Sequence, residues 1–170
     1  YLTISYFEPY SIYTKHLVER GDLVLANRDK MVLKKMNLNK YIEKDFKTIH
    51  PDSSLYDLTH QVKISKRNIF PVIDSECGLV GIITLDDIRQ MMFDPAKQRN
   101  VVVRTIMHIP SEVIQVKDDM ETVMAKFETS GKWNLPVVSG DEYIGFISKS
   151  SILTVYRQNL REHQEHSSLD

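Results

Sequence analysis

The feature that most constrains this chain of 170 residues is an internal repeat. Residues 69–73, which read IFPVI, recur as residues 134–138, which read NLPVV, so that the two prolines stand 65 positions apart. Two more pairs of segments match in the same order and at nearly the same spacing: residues 38–42 with 103–107, and residues 81–88 with 145–152. Because chance rarely places several matches at one spacing, the sequence predicts a tandem duplication.

The spacing divides the chain into two similar units. We call residues 37–98 repeat 1 and residues 99–160 repeat 2; they follow a leader, residues 1–36, and precede a polar tail, residues 161–170. Apolar periodicity and turn residues predict the order strand, helix, strand, strand, helix in each repeat. A unit of this size buries little apolar surface alone, so we expect the repeats to pack together into one α/β body.

The first predicted helix of each repeat begins at residues that can cap a helix. Ser54 with Asp57, and Asp118 with Glu121, have the i, i+3 spacing of a cap. A second helix is predicted to start at the end of each hairpin, at Thr84 in repeat 1. The apolar residues that these second helices are predicted to carry are Ile88, Met91 and Met92 in repeat 1, and Ile152, Val155 and Tyr156 in repeat 2.

Composition excludes several classes of function. The chain has 22 basic and 23 acidic residues, so it lacks the basic excess that is typical of nucleic-acid-binding proteins. Its one cysteine, Cys77, excludes a disulfide framework and favours a reducing compartment. No apolar run approaches the roughly 18–20 residues of a membrane-spanning helix. The histidines lack zinc-site spacing, and no glycine-rich loop with Lys-Ser or Lys-Thr is present for nucleotide hydrolysis. We therefore expect no catalytic residues, no bound metal and no nucleic-acid partner.

The repeated pattern consists of a proline-valine strand, a turn with glycine, a Gly-apolar-apolar-Thr/Ser segment and then a helix. In this pattern residues 37–160 resemble the CBS domain, and two such domains in tandem resemble a Bateman module. The resemblance implies an α/β (α+β) fold of two pseudo-symmetric β-α-β-β-α repeats, preceded here by a helical leader. It also implies a regulatory role, with no required cofactor and with ATP, ADP or AMP as candidate ligands in two clefts between the repeats.

The leader indicates which kind of parent protein the chain resembles. Residues 7–17, FEPYSIYTKHL, followed by Arg-Gly-Asp at 20–22, resemble the exit of the last membrane helices of CLC chloride channels and chloride/proton antiporters. Residues 132–137 and 145–150 are also similar to CLC tails. By this resemblance Tyr13 corresponds to the family's chloride-coordinating tyrosine, and the chain, which does not begin with methionine, is expected to be the end of a longer protein. The implied partners are the transmembrane part of the same polypeptide and a second copy in a homodimer, at the cytoplasmic face of the cell membrane.

One candidate nucleotide site, which we call the first cleft, centres on Thr84 and Asp87 at the predicted strand-to-helix junction of repeat 1. Backbone N–H groups at a helix start suit a phosphate, and the resemblance implies that Asp87 accepts the ribose hydroxyls. An equally supported interpretation is a capping box in which Thr84 caps the helix and Asp87 completes the box. The resemblance adds these residues of repeat 2 to the first cleft: Gln115, Lys132, Trp133, Asn134 and Pro136.

The second cleft is the pseudo-symmetric counterpart and the weaker candidate. Ser151 stands where the aspartate of the pattern would stand, so this cleft offers no carboxylate to a ribose. We therefore predict at most one good nucleotide site, in the first cleft. The residues that the resemblance assigns to the second cleft are Thr48, Arg67, Asn68, Ile69, Pro71, Ser148 and Ser151.

Three functions are compatible with these residues. The favoured one is the cytoplasmic regulatory module of a CLC-type chloride channel or chloride/proton antiporter that senses an adenine nucleotide. A ligand-free dimerisation or structural tail is the first alternative, and the loss of the second aspartate favours it. A regulatory CBS module of a soluble nucleotide-metabolising enzyme is the second alternative, but it gives no reason for residues 11–13 after an apolar start.

Overall fold

The computed structural model describes residues 33, 34 and 36–167, with side chains described up to residue 158. Tyr13 and the rest of the segment that resembles CLC proteins lie outside the described residues. The helices are α1 (Leu55–Ile64), α2 (Leu85–Ile88), α3 (Pro95–Asn100), α4 (Met120–Ser130) and α5 (Lys149–Ser167), with 3₁₀ helices at Leu38–Tyr41 and Val103–Thr105. The strands are β1 (Ile69–Ile73), β2 (Leu79–Thr84), β3 (Ile114–Gln115), β4 (Asn134–Ser139) and β5 (Glu142–Ser148). None of the described helices is both long and apolar enough to cross a membrane.

Each repeat contributes one small sheet built on a hairpin. In repeat 1, β1 and β2 pair antiparallel, and Ile49 adds a single parallel bridge to Val72 in place of a full first strand. In repeat 2, β3 pairs parallel with β4, which pairs antiparallel with β5. The order strand, helix, strand, strand, helix is complete in repeat 2. The predicted mixed α/β fold of two pseudo-symmetric repeats is therefore confirmed.

The matching segments at the start of the two repeats are exchanged between their cores. Leu38, in the 3₁₀ helix that opens repeat 1, is buried in the core of repeat 2 with Ile114 and Phe127. Val103, in the equivalent 3₁₀ helix of repeat 2, is buried in the core of repeat 1 with Leu58. Each repeat thus completes its hydrophobic core with the entry segment of the other, so that neither core is complete alone.

After its 3₁₀ helix, each entry segment pairs with a strand of the other repeat. His108 and Ile82 of β2 exchange backbone hydrogen bonds of 2.9 and 2.8 Å, a contact that we call the first crossing. Glu43 and Phe146 of β5 exchange backbone hydrogen bonds of 2.8 and 2.9 Å, a contact that we call the second crossing. Glu43 and His108 are separated by 65 positions, and Ile82 and Phe146 by 64, so the two crossings are related by the repeat spacing and are pseudo-symmetric.

A glycine lies where each crossing passes closest to a strand. A Cβ on Gly145 would lie 2.5 Å from the carbonyl oxygen of Glu43. A Cβ on Gly81 would lie 3.1 Å from the carbonyl oxygen of His108 and 2.9 Å from Sδ of Met107. The glycine of the Gly-apolar-apolar-Thr/Ser segment is therefore explained sterically, because its missing side chain leaves room for the backbone of the other repeat.

The predicted cap of α4 is wrong by one residue. The pairing of Asp118 with Glu121 does not form; the helix begins after Asp119, whose carboxylate accepts a hydrogen bond of 2.7 Å from the backbone N–H of Thr122. Asp118 instead accepts a hydrogen bond of 2.7 Å from the ammonium group of Lys126. An ion pair within the repeat thus draws Asp118 away from the helix start, and its acidic neighbour serves as the cap.

The second helix of repeat 1 is shorter than predicted. Helix α2 ends at Ile88, and Met91 and Met92 lie in the turns that follow it, although both pack against the core of repeat 1. A proline follows Asp94, and the residue before a proline is disfavoured in a helix. Asp94 instead caps α3 through its carboxylate. Repeat 2 has no proline here, and α5 continues to residue 167, past the predicted start of the tail.

Candidate functional site

The first crossing brings a histidine to the carboxylate of the first cleft. Oδ2 of Asp87 accepts hydrogen bonds from the backbone N–H of Thr84 at 2.7 Å and from its hydroxyl at 2.8 Å. The backbone N–H of Asp87 donates to the Thr84 hydroxyl oxygen at 3.4 Å, which completes a capping box. Oδ1 of Asp87 lies 3.1 Å from Nε2 of His108. Because Asp87 belongs to repeat 1 and His108 to the entry segment of repeat 2, this contact joins the repeats. The His108 side chain is 62% exposed, so a ligand can reach it.

These contacts keep Asp87 ionised. Burial would raise the pKa of Asp87, but hydrogen bonds from the backbone and hydroxyl of Thr84, and the approach of His108, hold it below the ordinary 3.8. An ionised carboxylate accepts hydrogen bonds and donates none, so the two hydroxyls of a ribose are complementary to it once His108 is displaced. Within the described part of the chain, no group of three or more histidine, cysteine, aspartate or glutamate side chains is placed to hold a metal ion.

Gln115, a predicted member of the first cleft, takes a different position. Its side chain exchanges two hydrogen bonds of 3.1 Å with the backbone of Gly140. The two residues line an open depression of about 500 Å³ whose lining includes neither Thr84 nor Asp87. Gln115 therefore holds the end of β3 against the β4–β5 turn and is not brought to Asp87 by any described hydrogen bond.

The other predicted residues of the first cleft lie on β4 or just before it. Lys132 and Trp133 are exposed, and the Trp133 ring centroid lies 5.6 Å from the ammonium group of Lys149. Asn134 and Pro136 are paired within the sheet, opposite residues of β5. Among the described residues, no hydrogen bond, ion pair or ring contact joins these four to Asp87.

At the second crossing, a charged network joins the repeats. Nη2 of Arg67 lies 2.7 Å from Oε2 of Glu43, and Arg67 donates two further hydrogen bonds, of 3.0 and 2.6 Å, to Asp45. Oε1 of Glu43 accepts a hydrogen bond of 3.2 Å from the hydroxyl of Ser151. Hydrogen bonding to Asp45 and the charge of Glu43 raise the pKa of Arg67 against the effect of burial. Glu43 thus connects two predicted members of the second cleft, one from each repeat.

An aromatic side chain packs beside this network. Phe46 is 8% exposed, and its ring centroid lies 4.5 Å from that of Phe146. The guanidinium carbon of Arg67 lies 4.8 Å from the same Phe46 centroid. Tyr143 meets Phe146 edge-on at 6.0 Å, and burial raises the pKa of Tyr143, so its phenol is neutral. Aromatic and cationic groups from both repeats therefore meet around Phe46.

The five other residues predicted for the second cleft belong to the sheets and their junctions or are exposed. Ile69 is the first residue of β1, and the carbonyl groups of Asn68 and Pro71 accept backbone hydrogen bonds from neighbouring segments. The hydroxyl of Ser148 lies 2.6 Å from a neighbouring serine hydroxyl. Thr48 is exposed. Of the seven predicted residues, Arg67 and Ser151 are the pair that the described contacts bring together.

Sequence reasoning missed three residues that the structure places at the crossings: His108, Glu43 and Phe46. A signal was present, because Glu43 and His108 are separated by the same 65 positions as the two prolines. Carrying the repeat spacing back into the entry segments would have paired these two residues. Their partners, Ser151 and Asp87, are separated by 64 positions and are equivalent in the same way.

Comparisons with known proteins agree with the fold. A family model described as the CBS domain matches residues 38–94 and again residues 103–158. Among solved structures, Staphylococcus aureus OpuCA is similar with a TM-score of 0.60 and 20% identity, over 71% of this chain and 98% of that chain. CbpB in complex with c-di-AMP gives a TM-score of 0.66 at 17% identity, over 82% and 96%. The CBS domain of a bacterial CNNM/CorC family Mg²⁺ transporter gives 0.63 at 14% identity, over 82% and 88%. No curated protein matches the chain.

Proposed function

Because the chain belongs to the CBS-domain family, with two copies of the domain in tandem, we propose that it is a regulatory module and not an enzyme. Its ligand is one adenine nucleotide, ATP, ADP or AMP, held in the first cleft. Its partner is the transmembrane part of a CLC-type chloride channel or chloride/proton antiporter, joined to it in one polypeptide at the cytoplasmic face of the cell membrane.

The contrast between the two clefts carries the nucleotide part of the proposal. In the first cleft, Asp87 is ionised and its described partner from the other repeat is the largely exposed His108. A ribose that offers two hydroxyls can replace that single contact. In the second cleft, Arg67 and Ser151 are already joined through Glu43. The solved CbpB structure contains c-di-AMP, an adenine nucleotide, which supports this class of ligand for the fold.

The leader supports the transporter part of the proposal. Residues 7–17 carry the resemblance to CLC proteins. Where the structure begins to describe the leader, Leu33 is buried in the core of repeat 2, and Met36 and Leu38 follow it there. A movement of repeat 2 relative to repeat 1 is therefore passed to the segment that precedes Leu33. The similar CBS domain from an Mg²⁺ transporter is also part of a transport protein, which supports a transporter as the partner of this chain.

In this mechanism the nucleotide acts by shifting the balance between two arrangements of the repeats. When the ribose hydroxyls take Asp87, His108 is released, and the first crossing keeps its backbone hydrogen bonds to Ile82. The ligand changes the balance only because it binds one arrangement more tightly than the other. Couplings of this kind are typically about 1–3 kcal/mol, and the leader transmits the change to the membrane part.

Isothermal titration calorimetry with ATP, ADP and AMP tests the ligand. We expect one nucleotide per chain in the wild-type protein and an affinity at least tenfold lower in Asp87→Ala. The matched control is Asp86→Ala, which removes the adjacent, exposed carboxylate that pairs with Arg89 and should leave the affinity unchanged. Equal affinity in wild type and Asp87→Ala would refute the role of Asp87. An absence of binding in the wild type would favour the ligand-free structural tail.

Two further measurements test the partners. Light scattering of the chain should give the mass of two copies, and a monomer would remove self-association by this module. The sequence that precedes Tyr1 in the parent protein should hold several apolar segments of about 20 residues, as membrane helices do. A barrel or synthase domain there would instead favour a nucleotide-metabolising enzyme.

A further inference from the structure

We propose that the second cleft is occupied by the protein itself: Phe46 takes the place that the planar base of a nucleotide would need, and Arg67 and Glu43 close over it. This inference deepens the proposed function, because it fixes the stoichiometry at one nucleotide per chain. It rests on the proposed function in that consequence alone, since the occupancy by Phe46 requires no nucleotide.

The surroundings of Phe46 place it inside the second cleft. Its side chain is 8% exposed, although Asp45 and Lys47 on either side are exposed. Its ring meets that of Phe146 at 4.5 Å with a tilt of 32°, which is within the range of aromatic pairs. The guanidinium group of Arg67 lies 4.8 Å from the ring centroid, a cation–π distance. Planar bases stack on aromatic rings and on guanidinium planes, so Phe46 already makes both of the contacts that this place offers to a base.

Polar contacts close the second cleft around this ring. Arg67 is the cation that a phosphate would need, but its guanidinium group is paired with both Asp45 and Glu43. Ser151, which stands at the position of Asp87, already donates its hydroxyl to Glu43. A nucleotide would therefore have to break an ion-pair network and meet two carboxylates with its own negative charge.

The equivalent positions of the first cleft hold smaller or unpaired side chains. At the repeat spacing, Ser111 corresponds to Phe46, and Lys132 corresponds to Arg67. Ser111 is exposed. Lys132 is also exposed and has no ion pair to any described residue. The second cleft thus holds a phenyl ring where the first has the small side chain of Ser111, and Lys132 has no described ion pair that a phosphate would have to break.

Chemical rescue tests the occupancy without any nucleotide. Phe46→Ala leaves a cavity beside Phe146 and Arg67, and we expect the melting temperature of the full chain to fall by about 10 °C. Indole at millimolar concentration, a planar aromatic probe, should bind that cavity and raise the melting temperature by about 3 °C. It should have no such effect on the wild type. The matched control, Phe93→Ala, removes a ring that is 80% exposed and should change neither quantity.

The outcomes separate clearly. A Phe46→Ala protein as stable as the wild type, or one that indole does not stabilise, would overturn the occupancy. If Phe46→Ala does not fold, Phe46→Val carries the same rescue test with a smaller cavity. Ser111→Phe places a phenyl ring in the first cleft and should abolish nucleotide binding, while circular dichroism shows an intact fold. Retained nucleotide affinity would overturn the equivalence of Phe46 and Ser111. If the wild type binds no nucleotide, the proposed function fails, and indole rescue still decides whether Phe46 occupies the second cleft.

Discussion

The first and second crossings have the same backbone and different side chains. In each, an entry segment exchanges two hydrogen bonds with a strand of the other repeat and passes over a glycine. The first crossing adds one contact between His108 and Asp87, at a largely exposed imidazole. The second adds a buried aromatic pair and an arginine that two carboxylates hold, with Glu43 bonded to Ser151.

The difference between the side-chain contacts at the two crossings shows how a duplicated fold can present two equivalent sites with different chemistry. Because the pattern of backbone hydrogen bonds is common to both crossings, the contrast in polar and aromatic contacts lies in the side chains. Near the pseudo-symmetry axis, the two hairpins also bridge through Gly78 and Glu142, which are equivalent to each other. We therefore expect the second crossing and this bridge to act as the fixed part of the module. At the first crossing, the side-chain contact between His108 and Asp87 is the part that a ligand can open.

The substitution with the largest expected effect disrupts the exchange of entry segments between the two cores, on which both crossings depend. Leu38→Ala removes a buried side chain of repeat 1 from the core of repeat 2, which should lower the free energy of unfolding by about 3 kcal/mol. Urea unfolding followed by circular dichroism measures it. Lys40→Ala, at an exposed position of the same 3₁₀ helix, is the control and should change little. If Leu38→Ala unfolded in two separate transitions, the repeats would fold independently, and the exchange of entry segments would not be needed for folding.

The next effect compares the glycines under the two crossings. In Gly145→Ala the new Cβ would meet the carbonyl oxygen of Glu43 at 2.5 Å, and backbone cannot move aside without breaking the second crossing. In Gly81→Ala the nearest atom is Sδ of Met107, the flexible part of a side chain. We expect losses of about 2 kcal/mol for Gly145→Ala and less than about 1 kcal/mol for Gly81→Ala in urea unfolding. The reverse order would mean that the first crossing is the tighter one.

A smaller effect compares the cations beside the two crossings. Arg67→Met keeps an apolar chain over Phe46 but removes the ion pairs to Glu43 and Asp45. Because the Arg67 side chain is 34% exposed, solvent screens these pairs, and we expect a loss of about 1 kcal/mol. Lys132→Met, at the equivalent position beside the first crossing, should change the free energy of unfolding by close to zero. Equal losses in the two variants would contradict the asymmetry of the charged groups.

Local patterns predicted much of each repeat, because they depend on residues close in sequence. The hairpins follow from short apolar runs around turns, and the capping boxes at Ser54 and Thr84 follow from i, i+3 spacing, as the structure confirms. The cap of α4 was missed because Asp118 and Asp119 are both suitable by local rules. The choice between them depends on Lys126, whose contact with Asp118 is tertiary.

The exchange between the repeats was beyond the reach of periodicity. The match of residues 38–42 with 103–107 showed that both repeats begin alike, but a match does not say into which core a segment folds. The same limit applies to the first cleft, where the residue types of Thr84 and Asp87 fit both a cap and a ribose site. The contact from His108, a residue 21 positions after Asp87 in the chain, is set by the exchanged backbone and not by any local pattern.

The smallest expected effect tests whether His108 strengthens the first crossing at all. Asp57 and Asp87 each complete a capping box, and each has a pKa below 3.8: hydrogen bonds from Ser54 lower that of Asp57, while at Asp87 the bonds outweigh the effect of burial. A lowered pKa means that the ionised group stabilises the fold above about pH 4 and that this stabilisation is lost below 3.8, as the pH falls through the lowered pKa of the folded protein. Of the two, Asp87 is the one that also contacts a crossing.

Urea unfolding of Asp57→Asn and Asp87→Asn at pH 3, 6 and 8 therefore isolates the histidine. Both variants should cost about 0.5–1 kcal/mol at pH 8 through the weakened cap, and both costs should shrink toward pH 3 as the wild-type carboxyls take up protons. Because Asp87 also contacts His108 across the first crossing, Asp87→Asn should cost a few tenths of a kcal/mol more than Asp57→Asn at pH 6 and 8. Equal costs at every pH would mean that the backbone alone holds the first crossing, which would make its contrast with the second crossing sharper still.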